Sequence, residues 1–114
     1  MKNFPSIKKK ADFQEVYRVG KSYANKELVM YVKRTQDPGQ RIGISVSKKV
    51  GNSVVRHRVT RLIRECFRLN QERLTNGLDI VVVARIAAGT ANYKNMERAY
   101  LHLCGLHNIN RESK

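Results

Sequence analysis

The sequence predicts an α+β domain built on a single sheet, with elements in the order α-β-β-β-α-β-α. Three observations carry that reading. Glu27–Lys33 and Arg41–Ser47 alternate apolar and polar side chains, as half-buried strands do. Ile80–Ala84 is apolar at every position, which suits a central strand covered on both faces. The long stretch before that strand repeats its apolar side chains at helical spacing, and shorter helical patterns stand near each end of the chain.

In chain order, residues 1–10 form a basic lead-in with Pro5, expected as an irregular arm. Ala11–Val19 predicts a short helix, with Phe13, Val16 and Tyr17 on one face and Gly20 as its stop. Ser22–Ala24 suits a short strand. In Glu27–Lys33, Leu28, Met30 and Val32 point one way and Val29, Tyr31 and Lys33 the other. Gln36-Asp37-Pro38-Gly39-Gln40 reads as a turn. In Arg41–Ser47, Ile42, Ile44 and Val46 oppose Gly43, Ser45 and Ser47, and the two alternating strands are expected to pair as an antiparallel hairpin. Asn52 or Ser53 caps a helix that runs to about Leu74 and stops at Asn76-Gly77. The strand Asp79–Ala84 follows, then a loop at Ile86–Gly89. A last helix runs from Asn92 to about His107, with Met96, Ala99, Tyr100, Leu103 and Cys104 as its apolar stripe. Residues 108–114 read as a polar, frayed tail.

The 114 residues suit one domain spanning 1–114, and 41% hydrophobic content suffices for a core. Lys plus Arg number 23 against nine Asp plus Glu, a formal charge of +14, which points to an anionic partner: nucleic acid first, an anionic membrane second. No run approaches the roughly 18 apolar residues of a membrane span, and the basic N-terminus lacks the apolar segment of a secretory signal. Cys66 and Cys104 fall on apolar stretches of separate helices, so two reduced, buried thiols and a cytoplasmic setting are expected.

The strongest functional signal is one-sided charge. Lys48, Lys49, Arg56, Arg58, Arg61 and Arg64 lie between Ser45 and Glu65, and Arg68 and Arg73 follow. At about 100° per residue, Val55, Val59, Leu62, Ile63 and Cys66 share one face, and His57, Arg61, Arg64 and Arg68 lie almost opposite. Glu65 is the only acid between Lys48 and Asn70. Such a face could be a solvated surface, but Arg forks suit phosphate. A membrane-surface helix would carry boundary aromatics; Trp is absent and the apolar face is rich in Val and Ile, as a core face is.

A second constellation is aromatic. Phe13 and Tyr17 stand one helical turn apart, and Tyr31 shares a strand face with Val29 and Lys33. The small side chains Gly43, Ser45 and Ser47 would leave a groove beside it, and aromatics with Lys suit a single-stranded nucleic acid. The alternative is that Phe13 and Tyr17 are ordinary core. Catalytic motifs are absent: no nucleophile elbow, phosphate-cradling Gly loop or HExxH occurs. Asp12 and Glu15 read as solvated acids, Asp79 as a turn residue, and His102 and His107 have no partner acid or Cys at useful spacing.

RIGISVSKKVGNSVVRHRVTRLIRECFR, residues 41–68, resembles the signature of the protein subunit of bacterial ribonuclease P. KKADFQEVYRVGKSYANKELVMYV resembles that family's N-terminal half, and LDIVVVARIAA its strand after the long helix, so the likeness covers about residues 8–105. The resemblance implies an α-β sandwich with a left-handed βαβ crossover, similar to ribosomal protein S5 domain 2. It implies a ribonucleoprotein endonuclease that removes the 5′ leader from precursor tRNA, with Mg²⁺-dependent catalysis by the RNA subunit and no catalytic residue on the protein. Lys48, Lys49, Asn52, Arg56, His57, Arg58, Arg61, Arg64 and Arg68 would then contact the catalytic RNA. Phe13, Tyr17, Val29, Tyr31, Lys33, Ser45 and Ser47 would hold the leader. No membrane or small-molecule partner is implied, and whether the protein itself holds a metal, and where, stays open. Two positions depart from that pattern: His57 stands where Asn is usual between two arginines, and Thr60 where Lys is common. A general RNA-binding protein of the same fold is the competing reading.

Overall fold

The computed structural model describes residues 5–111. Its elements are α1 (Lys10–Val19), β1 (Lys21–Ala24), β2 (Leu28–Arg34), β3 (Gln40–Ser45), α2 (Ser53–Asn70), β4 (Leu78–Ala84) and α3 (Tyr93–Leu106), with 3₁₀ turns at Lys48–Val50, Gln71–Arg73 and Ile86–Thr90. The order is the α-β-β-β-α-β-α that the periodicities predict. The four strands form one mixed sheet in the order β1-β2-β4-β3.

That order corrects the expected hairpin. β2 and β3 do not pair: β4 lies between them, antiparallel to β2 and parallel to β3. The hairpin is β1–β2, where the Asn25 side chain accepts a hydrogen bond from the Leu28 N–H at 3.0 Å and closes the turn. The Pro-Gly connection between β2 and β3 instead bridges the start of β4. Thr35 N–H donates to the Gly77 carbonyl (2.8 Å) and Gly77 N–H donates to the Gly39 carbonyl (3.0 Å). Gly77 sits there at φ +75°, a conformation that glycine adopts without steric cost.

The two faces of the sheet are unequal. Leu28, Met30, Val32, Ile42, Ile80 and Val82 pack under α2 and α3 in the main core, with Val59, Ile63, Cys66, Phe67, Met96, Tyr100 and Leu103 above them. Val81 on the opposite face meets Val16 of α1 and Ile7 in a smaller cluster. Cys66 and Cys104 are buried free thiols, as expected.

The described residues near each end pack more closely than the sequence suggests. Ile42 exchanges backbone hydrogen bonds with Pro5 and Ile7, so this part of the N-terminal lead-in lines the outer edge of β3 and buries Ile7. Covering an edge in this way removes unpaired donors and acceptors. At the other end, Asn110 bridges to Leu74 and Ile109 is fully buried, so residues 108–111 pack rather than fray. Lys2 and residues 112–114 lie outside the described residues. α2 ends at Asn70, four residues before the expected stop, because the buried Asn70 side chain donates to the Cys66 carbonyl and to Glu97 and the chain tightens into a 3₁₀ turn.

Candidate nucleic-acid interface

The smaller face of the sheet carries the aromatic site. The register of β2 and β3 on β4 lines up Tyr31, Val81 and Gly43 in one row and Val29, Val83 and Ser45 in the next. α1 crosses this face and brings its two aromatics down onto it. Tyr17 meets Tyr31 edge-on, with ring centroids 4.9 Å apart and planes at 79°. Phe13 lies 6.4 Å from Tyr17. Tyr17 remains 38% exposed, so its ring is available at the surface. Burial raises the Tyr17 phenol pKa, and the Ser45 hydroxyl partly offsets the shift.

Gly43 does not leave a void. A Cβ there would lie 2.7 Å from the Phe13 ring, so the missing side chain is the space that Phe13 fills. Phe13 is therefore partly core, packed with Ile7, Val16 and Val81, while Tyr17 and Tyr31 flank the open part of the groove. Its floor continues through Val29, Val83 and Ser45. Val83 is a floor residue that the sequence reading missed, because the insertion of β4 beside β2 was not seen. Ser47 lies past the end of β3, where its hydroxyl accepts from the Lys49 N–H and caps the 3₁₀ turn.

Lys33 stands apart from this group. It shares a row with Asp79 and Arg41, and its charge acts on Glu15 of α1. That row contains a forked ion pair: Arg41 Nε and Nη2 donate to the two Asp79 oxygens at 3.0 and 2.7 Å, and Nη1 reaches Asp12 at 3.4 Å. Asp79 is thus a buried strand residue rather than a turn residue, and Asp12 and Glu15 are paired, the latter with Arg18 at 2.9 Å.

The second surface is the outer face of α2. Asn52 caps the helix, accepting from the Val55 N–H at 3.0 Å. Val59, Ile63 and Cys66 are buried beneath it, and His57, Arg58, Arg61, Arg64 and Arg68 are exposed above. The residues differ in how far their charge is committed. Arg68 forks onto Glu65 at 3.1 and 2.6 Å, so the one acid of the stretch neutralises it. Arg56 Nε donates to the Gly51 carbonyl at 3.2 Å. Arg58 Nη1 donates to the Ala91 carbonyl at 2.9 Å, and its Nη2 to the Gly89 carbonyl. His57 stands between these two arginines, facing solvent with Val54 and Arg61 beside it. Thr60 turns its hydroxyl back to the Arg56 carbonyl at 2.9 Å. Lys48 and Lys49 are exposed on the adjoining 3₁₀ turn.

Among the described residues no group of three or more His, Cys, Asp or Glu side chains is placed to hold a metal ion, and no helix is long and apolar enough to cross a membrane. Of the two histidines near the end of the chain, His107 is buried with its ring 2.8 Å from the Met30 carbonyl, and His102 is exposed, 3.1 Å from Asn25.

A one-sheet α+β scaffold with an aromatic groove on one face and a cationic helix beside it defines a class of small basic proteins whose surface matches a polyanion. Comparison with known proteins makes the class specific. The family model for ribonuclease P matches residues 1–107. The ribonuclease P protein component of Lachnoclostridium phytofermentans is 55% identical over 104 residues, covering 91% of this chain and 90% of the relative. That of Clostridioides difficile is 46% identical over 98 residues, covering 85% and 86%. The structure of the Staphylococcus aureus RNase P protein superposes with a TM-score of 0.87 at 34% identity, covering 96% of this chain and all of that one. The Thermotoga maritima RNase P protein gives 0.79 at 27% identity, covering 86% and 93%. The chain belongs to the ribonuclease P protein component family, whose members are subunits of an endoribonuclease of tRNA processing.

Proposed function

We infer that this chain is the RNA-binding subunit that assists a catalytic RNA in removing the 5′ leader from precursor tRNA. In this reading the groove of Tyr17, Tyr31, Val29 and Ser45 holds the single-stranded leader, and the outer face of α2 docks on the catalytic RNA. The observation that carries it is the Tyr17–Tyr31 pair: two rings 4.9 Å apart, partly exposed, above a floor of small and β-branched side chains on the sheet face away from the main core. An exposed ring is a sequence-tolerant platform, since every base offers a π-face. The neighbouring cations supply phosphate attraction without sequence preference.

Catalysis in this reading belongs to the RNA subunit and its Mg²⁺. The protein contributes binding and orientation, in a cellular compartment where both RNAs are present, the cytoplasm. Adding the purified protein to bacterial ribonuclease P RNA at low Mg²⁺ and physiological salt should stimulate 5′ processing of a precursor tRNA. No stimulation would leave only a general RNA binder, and cleavage by the protein alone would overturn the noncatalytic role.

A further inference from the structure

Arg56, His57 and Arg58 stand in one turn of the cationic face, yet they are engaged in opposite directions. His57 points to solvent. Both terminal nitrogens of Arg58 are turned inward onto the carbonyls of Gly89 and Ala91, at the end of the 3₁₀ segment Ile86–Thr90. That segment is packed tightly against the lysine-bearing turn: a Cβ on Gly89 would lie 2.8 Å from the Val50 carbonyl oxygen. The turn is in its turn locked to α2, where a Cβ on Gly51 would lie 2.7 Å from the Val55 side chain and Arg56 donates to the Gly51 carbonyl. Two stretches distant in sequence, residues 48–58 and 86–91, thus meet at one joint, and Arg58 spans it.

We propose that Arg58 is a positioning residue for RNA binding: its guanidinium clamps the segment 86–91 and, through Gly89 and Val50, sets the turn that presents Lys48 and Lys49. The proposal rests on the RNA-binding reading above, and it assigns direct phosphate contact to Arg61 rather than to Arg58. Each terminal nitrogen gives one of its two hydrogens to a carbonyl, so three of the five N–H groups remain, but the place of the guanidinium is set by the segment 86–91 rather than by a phosphate. Lysine cannot replace it, because a single ammonium on a flexible stem does not hold two carbonyls in fixed geometry.

The test compares Arg58→Lys with Arg61→Lys and Arg61→Gln in the full-length protein, with bacterial ribonuclease P RNA as the probe. Arg58→Lys keeps the charge. It should nonetheless speed amide exchange across 86–91 in the free protein, leave exchange in Ile80–Val82 unchanged, and weaken RNA binding by about tenfold, with the salt dependence little altered. Arg61→Lys should bind nearly as wild type, and Arg61→Gln should lower the salt slope by about 0.7–0.9. Gly89→Ala loosens the same joint from the other side with every charge in place, so it should reproduce the Arg58→Lys loss. Wild-type affinity in Arg58→Lys or in Gly89→Ala would overturn the proposal, as would unchanged exchange across 86–91. Failure of the wild-type protein to bind the RNA at all would instead overturn the RNA-binding reading, while the exchange data would still report on the clamp.

Discussion

Arg41 grips Asp79 across the sheet with two parallel hydrogen bonds of 3.0 and 2.7 Å, on neighbouring strands that are 38 residues apart in sequence. Asp79 is almost fully buried, while the Arg41 side chain is 42% exposed. The carboxylate raises the arginine pKa further above its already high value, chiefly through those hydrogen bonds. Asp79→Ala would leave the arginine without its main partner at the edge of the small core. Because the arginine keeps contact with solvent, the expected cost is moderate, about 1–3 kcal/mol. Urea denaturation of the variant measures it, and an unchanged midpoint would mean that Asp12 alone satisfies Arg41.

Replacing Tyr31 by Ala removes the ring against which Tyr17 stands. Binding of precursor tRNA by the holoenzyme should weaken by about 1–3 kcal/mol if a base stacks there, and binding of mature tRNA should change little. Equal loss for both tRNAs would mean that the ring serves only packing.

Arg61 is exposed on α2, and no ion pair of the described residues engages it. Arg61→Ala should weaken binding to the catalytic RNA and flatten its logarithmic salt dependence by about 0.7–0.9 per lost phosphate contact. Arg68→Ala should do less, since Glu65 already compensates its charge. A larger effect at Arg68 would show that RNA displaces Glu65.

His107 gives the fold an acid sensitivity. Its burial lowers its pKa below 6.5, with Lys21 and Arg34 adding to the shift and the bond to the Met30 carbonyl opposing it. The sign follows directly. Above the unfolded value the ring is neutral in both states and contributes no pH dependence. As pH falls below it, the unfolded chain takes up the proton first, so stability drops until the folded value is reached. Thermal unfolding between about pH 7 and 5 should show this loss, and His107→Gln should remove that part of it. An identical pH profile in the variant would place the sensitivity elsewhere.

Burial holds the thiols of Cys66 and Cys104 up at about 12. Neither should react with a thiol reagent at pH 8 in the native state, since the thiolate is the nucleophile. Both should react on denaturation. Fast native labelling of either would require an opening of the α2–α3 layer.

The main elements and their faces were legible because each rests on local periodicity. The alternation of Leu28, Met30 and Val32 against Val29 and Tyr31 corresponds to the two faces of β2, and the stripe from Val55 to Cys66 lies on the inner side of α2. The unbroken apolar run of β4 gave its central place. The expected hairpin between β2 and β3 was wrong because consecutive strands usually pair, and nothing local to either strand records that a third, over thirty residues later, enters between them. The polar end of the chain misled for a similar reason: Ile109 has no periodic neighbours, and its burial depends on Leu74 and Thr75, which lie far back in sequence.

The candidate site divides the same way. By itself the sequence determined the charge, the one-sided helix and the aromatic residues, because composition and spacing set which side chains share a face of one element. Only the tertiary structure decided what those side chains do to each other. It set Tyr17 against Tyr31, spent the space at Gly43 on Phe13, and turned Arg58 onto the carbonyls of Gly89 and Ala91. Those outcomes depend on distances between elements, which are fixed when the core packs and are not written in any one segment.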